Sequence, residues 1–573
     1  MSDTTKLKKV FVNASGELVA GGPVRKVYST DCGNYINCTP REIKILERNN
    51  LICQPATRRF VDIILIKYGQ PELEKQCIDS IRKHTDLNKH VLTDVDNKKI
   101  DKNLGAIWND LIEASEAPFV LLLNTDTIIT GDGWLDELLD VACITRADAV
   151  GPMTDKCGIN YQVCEKPAFR QLRSFREVSQ LSGFCVLLKK ESWESAGKFP
   201  EFFPFYGQES DLMDRLDKKI LCKNVFVHHL AGGTIKHTPG RDQGKEKKLS
   251  LDVYKKVKAF DFKSQRLLVL GSGQGNKFPL WRGLDQGCSE IVRRGGRARH
   301  ICLDDLHNQE MREKVEAFSP TAALVVCTNP TRLIESADSI RSLRCPVGLW
   351  HNDLRPVHTE YRALRKCFER LFLCWQSSRG EYDLDQWERE IGAPTQYMPQ
   401  GSVINPYLRQ PKISRRGIFI GNTDCGKYHT GRKKLFKDLG IDVINEPGKK
   451  RLMIEQQSPV LYRSAKFSFA MSPDVPGYNS LRMYNVLAYG GCLFVKRFDG
   501  VEKLVADGED AIVFDSAEDA RKKMNILDND LFTRERVARS GWRLQQAKHT
   551  GLWRMLNMTH SLNTGDYSFW GEL

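Results

Sequence analysis

Three stretches of this chain open alike. VDIILIKYG (61–69), RLLVLGSGQG (266–275) and RGIFIGNTDCG (416–426) each run almost unbroken in apolar residues and then break at glycine. A strand that is apolar on both faces belongs to a parallel sheet covered by helices on both sides. A strand that ends in a glycine turn and leads into a helix is the start of a βα unit. Three such starts in 573 residues fit a chain of three or four units, at roughly 150 residues per domain. The expected fold class is α/β.

From 60 to 240 the two patterns alternate. VDIILIKYG reads as a strand, ELEKQCIDSIRKH as a helix, HVLTDVDN as a strand, NLGAIWNDLIEASE as a helix and APFVLLLNTD as a strand. HTPGRDQGKEKKLS (237–250) is a polar linker, continued by a helix near LDVYKKVKAF. TAALVVCTN and PVGLWHNDLR supply strands after the second start; IDVINE, SAKFSFAMS, GGCLFVKR and DAIVFD supply them after the third. These two consecutive units predict two Rossmann-like lobes facing one cleft. Residues 1–58 hold short strands (KVFVN, GELVAGG, RKVYST) and then a helix opening at Thr39-Pro40, a capping residue followed by proline at the first helical position. The expected divisions are 1–58, a small β/α unit; 59–245, the first α/β domain; 246–264, a linker helix; 265–412 and 413–573, the two lobes.

Composition narrows the function classes. Apolar residues make up 41% and charged residues 28% of the chain, the balance of a soluble globular protein. No apolar run approaches the ~18 residues of a membrane span, and MSDTTKLKKVFVN lacks the apolar core of a signal peptide. The 17 cysteines are scattered without a C-x-x-C pair, which fits free thiols in a reducing cytoplasm, with peripheral attachment to the inner membrane face left open. The net charge is +14. It reads either as a lysine-rich solvated surface or as a match to a polyanion: nucleic acid, an anionic membrane or a nucleotide-linked substrate.

Four signals between 60 and 240 point to chemistry. Asp96-Asn97 ends the second strand, at the carboxyl edge where parallel sheets bind ligands. Lys102-Asn103-Leu104-Gly105 precedes a helix containing Asn109. Asn124-Thr125-Asp126 interrupts the apolar run LLLNTDTII. SGFCVLL leads through AGKFPEFFPFYGQESDLMDRL to NVFVHHLAGGT. Each has a plainer reading: Asp126 and Asp96 as turn residues, Asp211 as the partner of Asp214 or Arg215 on one helix face, and the histidine pair as ordinary core or surface residues.

Taken in this order, the pieces resemble the GT-A fold of inverting family 2 glycosyltransferases, the rhamnosyltransferase-like branch in particular. The resemblance covers about 180 residues. It implies a nucleotide-sugar donor whose diphosphate is held by Mn²⁺ or Mg²⁺, with Asp126 and His229 as metal ligands. Neighbouring strand residues point to opposite faces, so only one of His228 and His229 reaches the metal. Asp96, Asn103, Asn124 and Asp126 become donor-site residues, Asp96 through uridine recognition. Glu209 takes the place of the catalytic carboxylate, and Asp211 follows it. The sequence departs from the family pattern at Asn124 and Gln208, where carboxylates are usual, and Glu209 replaces an aspartate.

The second half resembles GT-B glycosyltransferases of the family 4 and CgeB-like group. GYNSLRMYNVLAYGGCLFVKRFDGVEKLVADGEDAIVFDSAEDARKKM carries the likeness, with IFIGNTDCGKYHTGRKKLFKDL as the first strand, loop and helix of the donor lobe. Such enzymes bind diphosphate without metal, through a helix N-terminus and basic side chains. Asn422, Arg432, Lys433, Arg482, Asn485, Gly490 and Gly491 are the donor-site candidates; a solvated helix face is the plainer reading for the basic ones. The two glutamates that family 4 places eight residues apart are Gly477 and Asn485 here. GSGQG (271–275) lacks the full dinucleotide fingerprint.

The resemblances imply a bifunctional glycosyltransferase acting in successive steps: a metal-dependent inverting GT-A module and a metal-independent GT-B module. The acceptor is a surface glycan or glycoconjugate built at the membrane face, or hydroxymethylated bases in phage-type DNA. A non-catalytic carbohydrate-binding scaffold is the third reading.

Overall fold

The computed structural model describes backbone for residues 8–11, 17–19, 24–26, 28–30 and 33–38, and then 60–100, 102–165, 174–230, 243–271, 279–354, 358–378, 380–405, 412–423, 431–444, 457–473 and 475–566. The expected helix at Thr39, the GSGQG turn and the loop from Asp424 onward lie outside these residues. Two compact units emerge. One comprises Met1–Pro200 and Gly207–Pro239; the other comprises Glu201–Tyr206 and Gly240–Leu573.

In the first unit, β1 (Lys8–Phe11), β5 (Gly33–Cys38) and β4 (Tyr28–Thr30) form an antiparallel sheet, and β2 (Glu17–Val19) pairs with β3 (Val24–Lys26). The main sheet uses β6 (Val61–Lys67), β7 (Val91–Asp96), β8 (Phe119–Leu123), β9 (Thr127–Ile129), β10 (Ala149–Met153), β11 (Phe175–Val178), β12 (Cys185–Lys189) and β13 (Lys219–His229). Its order is β11-β13-β10-β12-β8-β6-β7, with β9 paired to β13. β7, β6 and β8 are parallel, as the βαβα pattern requires; β12 enters antiparallel between β8 and β10.

The unbroken apolar strands are covered on both faces. Val61, Ile63 and Leu65 pack with Cys77 and Ile81 of the helix Pro71–His84, while Ile64 packs oppositely with Trp108 and Ile112 of the helix Leu104–Ala114. Each such side chain contributes roughly 1.5–3 kcal/mol on burial.

The second unit repeats this arrangement twice. Strands β14 (Arg266–Gly271), β15 (Arg297–Cys302), β16 (Ala322–Val326), β17 (Val347–His351), β18 (Arg370–Leu373) and β19 (Thr395–Tyr397) form one sheet in the order β15-β14-β16-β17-β18-β19. Strands β20 (Arg415–Ile420), β21 (Asp442–Ile444), β22 (Ala465–Ala470), β23 (Leu493–Lys496) and β24 (Ile512–Phe514) form another, in the order β21-β20-β22-β23-β24. All pairs in both sheets are parallel. Both orders reverse after the first strand, which makes each lobe a doubly wound Rossmann-like layer. Leu268 and Leu270 face one core and Leu267 and Val269 the other; Ile418 and Phe419 divide likewise.

Three segments cross the expected divisions. The helix Gln243–Ala259 buries Val253 and Val257 in the first lobe's core and pairs Lys245 with Glu509 and Glu246 with Arg543 of the second lobe. The last helix, Gly551–Thr564, returns to the first lobe, with Met555, Leu556 and Met558 in that core. Phe202 and Phe203, from the short segment Glu201–Tyr206, join the same core.

The return is anchored by a buried pair. The Arg554 guanidinium donates to Gln400 O at 3.2 Å and to His549 Nδ1 at 2.8 Å, and His549 Nε2 donates to Leu504 O at 3.1 Å. Burial, reinforced by Arg554, pushes the His549 pKa well below the usual histidine value. Above pH ~6.5, the unfolded value, His549 is neutral in both states and its contribution is complete. Below that, the unfolded chain takes up a proton that folded His549 refuses, so stability falls as pH drops toward the folded pKa. Thermal midpoints measured at falling pH are expected to decline more steeply for the native chain than for His549→Gln. Equal slopes would remove His549 from this role.

Candidate active site

The first site is built where β8 ends. Asn124 N–H donates to Phe184 O at 2.9 Å, and Thr127 Oγ1 donates back to Asn124 O at 2.7 Å, so the chain turns sharply and re-enters as β9. Asp126, only 4% exposed, lies inside this turn. β9 pairs antiparallel with the end of β13, in a register that sets His229 opposite Thr127, and Leu230 N–H donates to Asp126 O at 2.9 Å. The pairing brings His229 Nε2 to 3.5 Å from Asp126 Oδ1.

His229 is held on three sides. Its Nδ1 donates to Lys156 O at 2.7 Å, its backbone N–H donates to Asp155 Oδ1 at 2.9 Å, and its ring stacks on Phe184 with centroids 4.8 Å apart. With Nδ1 donating to a backbone carbonyl, Nε2 is the ring nitrogen that faces Asp126, the arrangement seen in metal-ligating histidines. His228 points away and bonds Asp155 Oδ2 at 2.9 Å. Burial alone would raise the Asp155 carboxyl, yet the hydrogen bonds from His229 and His228 hold it below the usual range.

Gly183 and Phe184 connect this pair to the carboxylate helix. Phe184 carries the His229 ring, and the adjacent Gly183 lies beneath Glu209: a Cβ at 183 would meet Glu209 Cγ at 2.7 Å and Oε1 at 3.0 Å. Glu209 sits in the first turn of the helix Gln208–Arg215, after Gly207 in left-handed conformation. Burial raises its pKa, opposed in part by a backbone hydrogen bond. Asp211, 3% exposed, is committed to Arg215 at 2.9 Å, and that guanidinium also donates to Ala196 O and Lys198 O. The helix-pair reading of Asp211 therefore describes its side chain. Gly183→Ala is expected to displace Glu209 and to lower the first module's turnover by on the order of 100-fold, the cost of an ångström-scale misplacement. A turnover within a few-fold of the native value, with the fold intact, would show that the contact does not position Glu209.

The remaining sequence candidates divide. Asn103 caps the helix Leu104–Ala114, accepting from Ala106 N–H at 3.3 Å. Asp96 accepts from Lys98 N–H at 3.1 Å and pairs with Lys99 at 3.3 Å, as a turn residue does. Gly105 is required by packing, since a Cβ would sit 2.4 Å from Pro200 O. Asn109 makes paired hydrogen bonds with the backbone of Phe199, both at 2.9 Å. Gln208 is fully buried, and neither polar atom of its amide meets a partner among the described residues.

In the second unit, Arg432 and Arg482 converge on Phe419, their guanidiniums 5.3 and 4.3 Å from the ring centre. Arg432 donates to Asn422 O at 3.1 Å and Met471 O at 2.9 Å; Arg482 donates to Ile420 O at 2.5 Å. Both sit at the carboxyl ends of β20 and β22, where ligands of such sheets bind. Lys433, next to Arg432 in the helix Arg432–Leu439, is exposed. Asn485 is buried and accepts from Ser402 Oγ at 2.7 Å. Gly477 adopts positive φ (70°), and a Cβ there would meet Gln376 at 2.8 Å. Gly490 and Gly491 lie elsewhere: their N–H groups close the helix Leu481–Ala488 onto Leu487 O and Val486 O, before β23 begins. That is the amino edge of the sheet, so close approach of a ligand is not what these glycines serve.

Asp155, Lys156 O and the stacking face of Phe184 were not singled out from sequence. They act across β-strand pairings that no short-range spacing announces. Among the described residues no group of three or more His, Cys, Asp and Glu gathers around a metal position, and no helix is long and apolar enough to cross a membrane.

Residues 448–559 match the family model described as "Glycosyl transferase-like". The N-acetylglucosaminyl-diphospho-decaprenol L-rhamnosyltransferase of Mycobacterium tuberculosis is 29% identical over 235 residues, covering 34% of this chain and 74% of that protein. Among solved structures, Anabaena HepE in complex with UDP and glucose aligns at 12% identity and TM-score 0.34, over 52% of this chain and 99% of its own. An alpha-glucosyltransferase with UDP and a 13-mer DNA containing a HMU base aligns at 9% identity and TM-score 0.39, over 52% and 100%. Glycosyltransferase similarity thus rests on two stretches: a rhamnosyltransferase relative and a C-terminal family model.

Proposed function

We propose that this glycosyltransferase works through two sites, the first using Asp126, His229 and Glu209 on a nucleotide-diphosphate sugar. The observation that carries the reading is the Asp126–His229 pair, whose facing oxygen and nitrogen are 3.5 Å apart. A carboxylate oxygen and an imidazole nitrogen, completed by diphosphate oxygens, suit Mn²⁺ or Mg²⁺, which commonly take few protein ligands when substrate phosphates supply the rest. The cation, when bound, would offset the charge developing on the departing nucleoside diphosphate.

The chain's own groups do the remaining work. Lys156 O fixes the His229 tautomer, and Phe184 holds the ring plane. Glu209 accepts the proton of the acceptor hydroxyl as its oxygen attacks the anomeric carbon from the face opposite the leaving group, which inverts that centre. Its raised pKa strengthens it as a base once ionised.

The second site is proposed to hold a donor diphosphate without metal, through Arg482 and Lys433, with Arg432 supporting the loop at Asn422. Guanidinium suits phosphate in geometry and charge. The M. tuberculosis relative, named for a lipid-diphosphate-linked N-acetylglucosamine acceptor and rhamnosyl transfer, favours a lipid-linked glycan acceptor and a deoxyhexose donor for the first module. The second module is proposed to extend the product of the first.

The test offers the full chain a panel of nucleotide sugars, with polyprenyl-diphosphate-linked N-acetylglucosamine and hydroxymethylated duplex DNA as acceptors, and weighs the products. One added deoxyhexose on the lipid acceptor is expected, and a second sugar where both donors are present. Transfer to DNA alone would replace the glycan reading. Donor binding with no transfer under any pairing would leave a binding protein.

A further inference from the structure

A second charged region lies on the first lobe of the Rossmann-like pair, on the open edge of its sheet. β15 is the edge strand of its sheet, reached by the sequence IVRRGGRARH. The chain turns tightly at Gly295 (φ 87°) and Gly296, where a Cβ would lie 2.3 Å from Phe262 O. The turn sends Arg294 inward, onto Glu290 at 2.6 Å and over the Phe262 ring at 4.9 Å, and leaves Arg293, Arg297 and Arg299 outside. Beside it lies an open, shallow cavity of about 470 Å³, lined by Arg297, Arg299, Lys314, Val292, Ala298 and Phe318 among others, with no acidic residue. Lys263 adds an exposed cation next to Gly295.

The surrounding acids are largely occupied. Glu290 is buried against Arg294 and also lies 3.8 Å from Arg293, Glu310 pairs with Lys314 at 2.6 Å, and Glu316 with Arg344 at 3.7 Å. Arg299 stacks over Phe318 at 5.0 Å and Arg297 is exposed; neither forms an ion pair among the described residues. Charge on an edge strand also discourages pairing with other chains. That accounts for Arg297 and Arg299. It does not account for Lys263, an exposed cation off the strand, nor for Val292, an apolar side chain left 52% exposed among cations; Arg293 and Lys314, also off the strand, share their helix ion pairs with Glu290 and Glu310.

We propose that this edge is a docking surface for an anionic lipid bilayer. Cations attract the phosphate layer, and Val292 has an apolar phase to enter, which a nucleic acid backbone does not provide. The shallow floor suits a surface rather than an enclosed small molecule. The inference does not depend on the sugar chemistry above, because it concerns binding alone.

The test is co-sedimentation of the full chain with phosphatidylglycerol-containing vesicles, against phosphatidylcholine vesicles and a duplex DNA competitor. Binding is expected only to the anionic vesicles, to weaken with salt, and to fall on the order of tenfold or more in Arg297→Glu/Arg299→Glu. Val292→Ser, which removes the apolar side chain and leaves the charge of the patch unchanged, is expected to weaken vesicle binding and leave any DNA retention unchanged. Thermal midpoints and donor hydrolysis of the variants report that the fold and the sites are intact. Vesicle binding that ignores the arginine variants overturns the proposal. So does DNA retention that depends on these arginines in a chain that does not bind anionic vesicles.

Discussion

Glu209→Gln is expected to lower sugar transfer by the first module about 10²–10⁴-fold, the range of a lost general base, with little change in donor affinity or thermal midpoint. The side chain keeps its volume against Gly183 and loses only the ability to accept a proton. The pH profile provides a second readout. A base works ionised, and burial raises the Glu209 pKa, so the acidic limb of the native rate profile should lie above the ordinary glutamate value of about 4.3. As pH rises through that pKa the rate rises; the limb should disappear in Glu209→Gln. Glu209→Asp should recover part of the activity, since only the length of the arm changes. Near-native turnover by Glu209→Gln would remove Glu209 as base.

Asp126→Asn, or chelation of divalent cations, is expected to cost about 10²–10³-fold in turnover, the scale of a lost electrostatic stabiliser of the leaving group. Asparagine preserves the shape of the buried turn, so the loss should not come from unfolding. Added Mn²⁺ or Mg²⁺ should restore the chelated native enzyme and not the variant. Direct Mn²⁺ binding, measured by electron paramagnetic resonance in the presence of nucleoside diphosphate, should fall in Asp126→Asn and in His229→Ala. Donor hydrolysis insensitive to both chelation and substitution would mean that Asp126 and His229 form a structural ion pair.

Much of the architecture follows from local pattern. Val61–Lys67, Arg266–Gly271 and Arg415–Ile420 are strands whose apolar runs satisfy two facing cores at once, and an unbroken apolar run that breaks at glycine is visible in a short window. The βα order then dictates parallel neighbours, and both lobes have them. Capping residues are legible for the same reason: Asn103 precedes its helix by one position and binds within it.

Tertiary structure decided the site. Which of His228 and His229 faces Asp126 depends on the register of β13 against β9, a pairing between residues about a hundred positions apart. Asp211 and Glu209 are equivalent carboxylates in sequence. Arg215, clamped by Ala196 O and Lys198 O, takes the first, and the bare Cα of Gly183 makes room for the second. Gly490-Gly491 looks like a ligand turn and is a helix ending at the wrong edge of its sheet. Strand and helix periods are properties of neighbouring residues, so the chain displays them directly. Register, pairing and the edge at which a loop emerges depend on contacts between distant segments, and only the folded chain brings those segments together.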